Sequence, residues 1–176
     1  MIRPIRIYPD PVLRVRCPEV EAFDDELRRL ADDMVETMHD APGIGLAAPQ
    51  VGVETRLIVV DLSVGEDPEQ VHVLANPEVL ERDGEGTELE GCLSIPGISD
   101  KVARARSIRV RAQDPTGETV ELDAEDWLAR AILHEIDHLD GVLFVDHLRG
   151  LRRERVKRQL KKLAEGGDLA REEALA

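Results

Sequence analysis

The sequence predicts a single domain that mixes helices with strands. Three observations carry that expectation. Residues 24–39 and 123–141 repeat apolar side chains every three or four positions, as helices lying on a core require. Between them run short apolar segments separated by Gly, Pro and Asp, the pattern of strands and turns. The 176 residues are 42% hydrophobic, show no internal repeat and suffice for one core. Only 2% are aromatic, so Leu, Val and Ile must build that core.

The elements follow in order. Residues 3–7 can form a short strand, and Tyr8-Pro9-Asp10-Pro11 is a rigid turn. The helix over 24–39 places Leu27, Leu30, Ala31, Met34, Val35 and Met38 on one face, with both methionines in the core. His39 ends it, where the helix dipole favours a cation. Gly43-Ile44-Gly45-Leu46-Ala47-Ala48-Pro49-Gln50-Val51-Gly52 has neither the lysine of a phosphate loop nor dinucleotide spacing. Taken alone it suits a turn as well as a site. Gln50 stands out as a neutral amide in apolar surroundings, which needs a partner if buried.

Residues 56–62, with Leu57-Ile58-Val59-Val60, predict a buried strand, followed by an acidic loop over 63–70. Residues 71–80 are strand-like but interrupted at Asn76-Pro77, with His72 on the sheet surface. Gly84 and Gly86 mark a turn, and 87–93 forms a strand. Residues 102–122 predict a hairpin around Asp114-Pro115-Thr116-Gly117. A short strand or extended exit over 142–145 follows the second long helix, and His147 caps or packs. A last helix over 151–163 sets Val156, Leu160 and Leu163 against the body. The domain is expected to span 1–164, with 165–176 a flexible tail.

The sharpest chemistry lies in His134-Glu135-Ile136-Asp137-His138. The helix around it is expected to begin at Asp123 as N-cap, with Asp126 completing a capping box, and to stop at Gly141. Four residues turn the helix by about 400°, so the two imidazoles stack one turn apart and can share a metal. Glu135 stands to the side, placed to take a proton from a water on that metal. A pair of core histidines that merely packs would be a costly use of polar groups.

Two histidines need a third ligand and an open position. Cys92, His39, His72, His147 and many carboxylates are candidates. Cys92 is the strongest chemical choice, because thiolate is a good ligand for borderline divalent ions and Gly91 lets the backbone pass close. Cys17 carries no constellation and is expected to be an ordinary buried thiol. A zinc endopeptidase shares the histidine–glutamate pattern, but would take its third ligand elsewhere.

At this point the chain resembles the peptide deformylases. Gly43 to Gln50, Glu90-Gly91-Cys92-Leu93-Ser94 and His134-Glu135-Ile136-Asp137-His138-Leu139-Asp140-Gly141 stand in the family's order, and Tyr8-Pro9-Asp10-Pro11-Val12-Leu13 resembles its opening. The resemblance implies an α+β fold, with mixed and antiparallel sheets around a central helix carrying the histidines, plus a C-terminal helix. It implies removal of formate from formyl-methionyl nascent polypeptides. Cys92, His134 and His138 would hold one divalent ion, with iron(II) physiological and zinc, nickel or cobalt possible after purification. Glu135 would act as base and acid, while the Gln50 amide and the Leu93 N–H would stabilise the oxyanion. Gly43, Ile44, Gly45, Glu90, Leu93, Trp127, Arg130 and Ala131 would line the substrate pocket. Trp127 and Arg130 depart from the family's frequent aliphatic residues, and Glu88 also replaces an apolar one.

Net charge is −14, which argues against a general nucleic-acid surface. Segment 149–162 nevertheless carries +7 and the remainder −21. By resemblance, this basic helix would dock on the ribosome through RNA phosphates. No apolar run suggests a membrane span and no secretory signal opens the sequence. A cytoplasmic monomer is expected.

Overall fold

The computed structural model describes residues 1–166. An antiparallel sheet has the order β1-β2-β3-β6-β7, and β4 pairs with β5 in a separate ribbon. The strands are β1 (Gly45–Ala47), β2 (Leu57–Val60), β3 (His72–Asp83), β4 (Gly86–Cys92), β5 (Ile95–Arg104), β6 (Ser107–Gln113) and β7 (Thr119–Glu125). The helices are α1 (Asp25–Asp40), α2 (Asp126–Leu139) and α3 (Gly150–Glu165). Among the described residues, no helix is long and apolar enough to cross a membrane.

Strand alternation explains the layers. On β2, Ile58 and Val60 face a core that includes Ile132, Leu133, Ile136 and Leu139 of α2. Leu57 and Val59 face the opposite core, with Leu27, Leu30, Met34 and Met38 of α1. All four β2 residues are fully buried, so an unbroken apolar run replaces half-polar alternation. α3 buries Val156, Leu160 and Leu163 against Ile95, Ile98 and Val102 of the ribbon.

Both long helices lie close to expectation. Asp24 caps α1, accepting from the Leu27 N–H at 3.0 Å. The start of α2 differs: β7 continues to Glu125, and no side chain caps the helix. Asp123 sits in β7 and pairs with Arg109 instead. The stop at Gly141 is met, with a positive φ of 72°.

Other expectations are corrected by pairing. Residues 3–7 form no strand, because Arg6 N donates to Gln50 O and Tyr8 N to Ser94 O, two separate segments. The stretch over 102–122 divides: 102–104 ends β5, while β6 and β7 form the hairpin, in register from Ser107↔Glu125 to Gln113↔Thr119. β5 escaped notice because its buried row reads Pro96, Ile98, Asp100, Val102, Arg104, with two charges among the inward positions. Of the strand or extended exit expected over 142–145, the chain takes the extended exit through Leu143 and then a 3-10 turn, Phe144–His147. Gly45 to Ala47, within the stretch that suited a turn as well as a site, pairs with β2. Residues 167–176, most of the expected tail, lie outside the described residues.

Candidate active site

α2 brings two imidazoles into the interior, with His134 and His138 ring centroids 5.0 Å apart. β4 ends beside them. Its register with β5 shifts between Gly91 and Cys92, and that irregularity aims Cys92 at the helix. Cys92 Sγ lies 3.4 Å from His138 Nε2. One ligand atom from each of Cys92, His134 and His138 lies within 4.8 Å of the others, the one such group among the described residues. His39, His72 and His147 lie elsewhere: His39 pairs with Asp61, and His147 with Asp137.

The donor set fits a divalent ion. His134 Nδ1 lies 2.5 Å from Glu90 Oε1, leaving Nε2 for a ligand role. Burial alone would push His134 down, but Cys92 and Glu90 hold it well above its ordinary value. Burial and the neighbouring His134 push His138 well below its own. A metal ion and a proton compete for such a site.

Charged side chains support this arrangement from behind. Glu90 is buried, which pushes its carboxyl up, yet bonds from His134 and Arg104 hold it far below the usual range. Arg104 Nη2 and Nε donate to Glu90 at 2.6 and 3.1 Å, and Arg130 Nη1 does so at 2.9 Å. Arg104 Nη1 also donates to Asp137 Oδ2 at 2.6 Å, which His147 Nε2 approaches at 2.8 Å. The sequence reading missed Arg104, Asp137 and His147 as a group. Arg104's signal was available: an arginine on the inward row of a strand needs a buried carboxylate.

Glu135 is different because none of the described residues pairs with its carboxylate. Its Oε2 is buried without a partner, and burial raises its pKa to about 7. A Cβ at position 45 would lie 2.5 Å from Glu135 Oε1, so a side chain there would displace that carboxylate. A Cβ at position 43 would meet Leu93 Cδ1 at 2.8 Å. Gln50 answers its expected need for partners: Oε1 accepts from Ala47 N at 2.9 Å, and Nε2 donates to Ser94 Oγ at 3.1 Å. Its Nε2 also lies 3.7 Å from Cys92 Sγ, beside the Cys92, His134 and His138 group.

Except for His138, the sequence-predicted site residues line one cleft of about 380 Å³. Gly43, Ile44, Gly45 and Gln50 come from the β1 region, and Glu90, Cys92 and Leu93 from the end of β4. Trp127, Arg130, Ala131, His134 and Glu135 come from α2. Ile44, Leu89 and Trp127 are exposed to 37%, 57% and 47%, an apolar rim open to an extended peptide. Leu89, unmarked in the sequence, is recognised only through its place on this rim.

The polypeptide deformylase family model matches residues 2–154. A peptide deformylase of Acidobacterium capsulatum is 52% identical over 168 residues, covering 96% of this chain and 99% of that relative. One of Alkalilimnicola ehrlichii is 55% identical over 163 residues, covering 93% of this chain and 91% of the relative. The crystal structure of a Legionella pneumophila peptide deformylase, 45% identical, superposes with a TM-score of 0.87, covering 94% of this chain and 96% of the other. That from Thermus thermophilus, 43% identical, gives 0.88 and covers 95% and 100%. The chain belongs to the polypeptide deformylase family, amide hydrolases that remove the N-terminal formyl group from nascent peptides.

Proposed function

We propose that this cleft hydrolyses the formyl amide of formyl-methionyl peptides, with Cys92, His134 and His138 holding one divalent ion. One observation carries this reading: three ligand atoms within 4.8 Å share a cleft with an unpaired carboxylate and an anchored amide. A divalent ion bound there would acidify a water and polarise the formyl carbonyl. Glu135 takes the proton of the attacking water as its oxygen bonds to the formyl carbon. Gln50 Nε2–H and the Leu93 backbone N–H donate to the developing oxyanion, each worth about 3 kcal/mol in such roles. Glu135 then passes the proton to the departing nitrogen. The C–N bond breaks, and formate and a free amine leave.

Gly43, Ile44, Gly45, Glu90, Leu93, Trp127, Arg130 and Ala131 form the substrate surface in this reading. The contacts at glycines 43 and 45 keep the reacting end narrow, which suits formyl over larger acyl groups. We assign iron(II) as the physiological ion on the family resemblance; zinc, nickel and cobalt suit the same donors. Residues 1–164 serve as one catalytic domain, working as a cytoplasmic monomer.

The basic helix supports a docking role. Arg152, Arg153, Lys157, Arg158, Lys161 and Lys162 are exposed on α3, while Val156, Leu160 and Leu163 hold it to the ribbon. Such a face suits ribosomal RNA phosphates without base specificity. Unchanged ribosome affinity after charge reversal of those six residues would remove this role.

Anaerobic formate release from formyl-Met-Ala-Ser tests the main reading, using ferrous-loaded protein and its Cys92→Ala variant. Release by the parent, with metal and activity both lost in the variant, is the expected result. A folded, loaded parent that releases no formate overturns it.

A further inference from the structure

The cleft follows one stripe of α2. His134, Ala131, Arg130 and Trp127 lie three or four residues apart and all line it. At a rise of about 1.5 Å per residue, Arg130 stands about 6 Å along the helix from His134, and Trp127 about 10 Å. A first side chain running along this stripe from an amide that reacts at His134 would end beside Arg130 and Trp127.

That far end is not the apolar floor a thioether prefers. Arg130 is buried, and its guanidinium carbon lies 5.8 Å from the centre of the Trp127 ring. Its Nη1 donates to Glu90 Oε2 at 2.9 Å and to Val102 O at 2.8 Å. Its Nη2 donates to Gly86 O at 2.8 Å. A guanidinium has five N–H groups, so the Nε–H and one on Nη2 remain uncommitted. The Nε is not sealed off: the buried side-chain nitrogens and oxygens without a partner are Glu135 Oε2 and His138 Nδ1 among the described residues. Behind Arg130 and Trp127 lies a second cavity of about 320 Å³, lined also by Glu88, Arg104, Arg106 and Asp126. Arg130 thus forms a polar wall between two open spaces.

We propose that Arg130 determines specificity at this wall, letting the pocket accept a formylated first residue whose methionine sulfur carries a sulfoxide oxygen. The inference rests on the deformylase reading and extends its substrate class. Oxidation turns the flexible apolar end of methionine into a strong hydrogen-bond acceptor. In a wholly apolar pocket that oxygen loses its water and gains nothing. Here an uncommitted N–H of Arg130 meets it, while Trp127 and Ala131 cover the methylene groups. Glu90 keeps the guanidinium anchored, so the donor is held in place before substrate arrives.

The test compares kcat/KM for formate release from formyl-Met-Ala-Ser, its sulfoxide and its norleucine analogue, using the metal-loaded parent and Arg130→Leu. Parent values for methionine and sulfoxide within about tenfold are expected, with the gap widening to about a hundredfold in Arg130→Leu through KM. A parent that disfavours the sulfoxide by about a hundredfold, or an unchanged ratio in the variant, overturns the proposal. Arg130→Gln, which keeps a donor, should hold the narrow ratio and stands in if the leucine variant does not fold. If no peptide releases formate, the deformylase reading fails separately. Quenching of Trp127, the sole tryptophan, by the methionine and sulfoxide peptides then decides the pocket question: similar binding supports the proposal, and loss of sulfoxide binding overturns it.

Discussion

Arg104 and Arg109 stand five residues apart, and each meets a carboxylate at hydrogen-bond distance. Arg104 Nη2 lies 2.6 Å from Glu90, and Arg109 Nε lies 2.9 Å from Asp123. Their settings are opposite. The side chains of the first pair are 6% exposed on both sides, while those of the second are 44% and 72% exposed. Water can replace either partner of the outer pair. Behind His134 it cannot, and there Glu90, Arg104 and Arg130 find their partners in the protein. That region consequently holds one connected set, His134, Glu90, Arg104 and Arg130, which reaches a candidate metal ligand and extends outward through Asp137 to the exposed His147. The same pairing chemistry orders a site when dry and merely solvates a sheet when wet.

The largest effect should come from the buried carboxylate left outside that set. Glu135→Ala is expected to lower kcat about a thousandfold while metal analysis still finds about one ion per chain. Metal loss in a folded variant would make Glu135 part of the ion's support instead. Next comes the link between the paired charges and the ligand. Glu90→Gln leaves two arginines short of their counter-charge, and denaturant titration should show a loss of about 3 kcal/mol, with weaker metal retention. Stability close to that of the parent would place Glu90 with the surface pairs.

Asp61 offers an intermediate comparison, a buried acid outside that connected set. Burial pushes its carboxyl up, but hydrogen bonds from Ser63, the Gly65 N–H and His39 outweigh that and hold it below the ordinary aspartate value. A lowered folded pKa stabilises above the unfolded value and loses that contribution as pH falls through the folded one. Urea midpoints should therefore fall less steeply below about pH 4 in Asp61→Asn than in the parent. Parallel curves would mean that Asp61 titrates as it does unfolded. The smallest effect belongs to the outer sheet: Arg109→Ala should leave the denaturation midpoint and formate release unchanged.

Much of the site was legible before any tertiary contact. His134, Glu135 and His138 declare themselves because helical spacing alone puts them on neighbouring faces. Cys92 could only be nominated, since it stands 42 positions before His134. Gln50 was recognisable as an amide requiring a partner, but Ser94 and Ala47 became its partners through folding. β5 and Arg104 were the main omissions. A charge on an inward row disguises a strand, and its meaning depends on a carboxylate from another strand.

By itself, the sequence determined the two long helices, the buried β2 run, the residue types of the candidate site and the acidic body with its basic helix. Those properties are local, set by residue identity and by the periods of 3.6 and 2. Tertiary structure decided which strand ends met α2, which carboxylates stayed paired and which one stayed free. It also decided that an arginine would border the far end of the cleft. These outcomes depend on burial, because only exclusion of water makes the partner of each polar group a structural necessity.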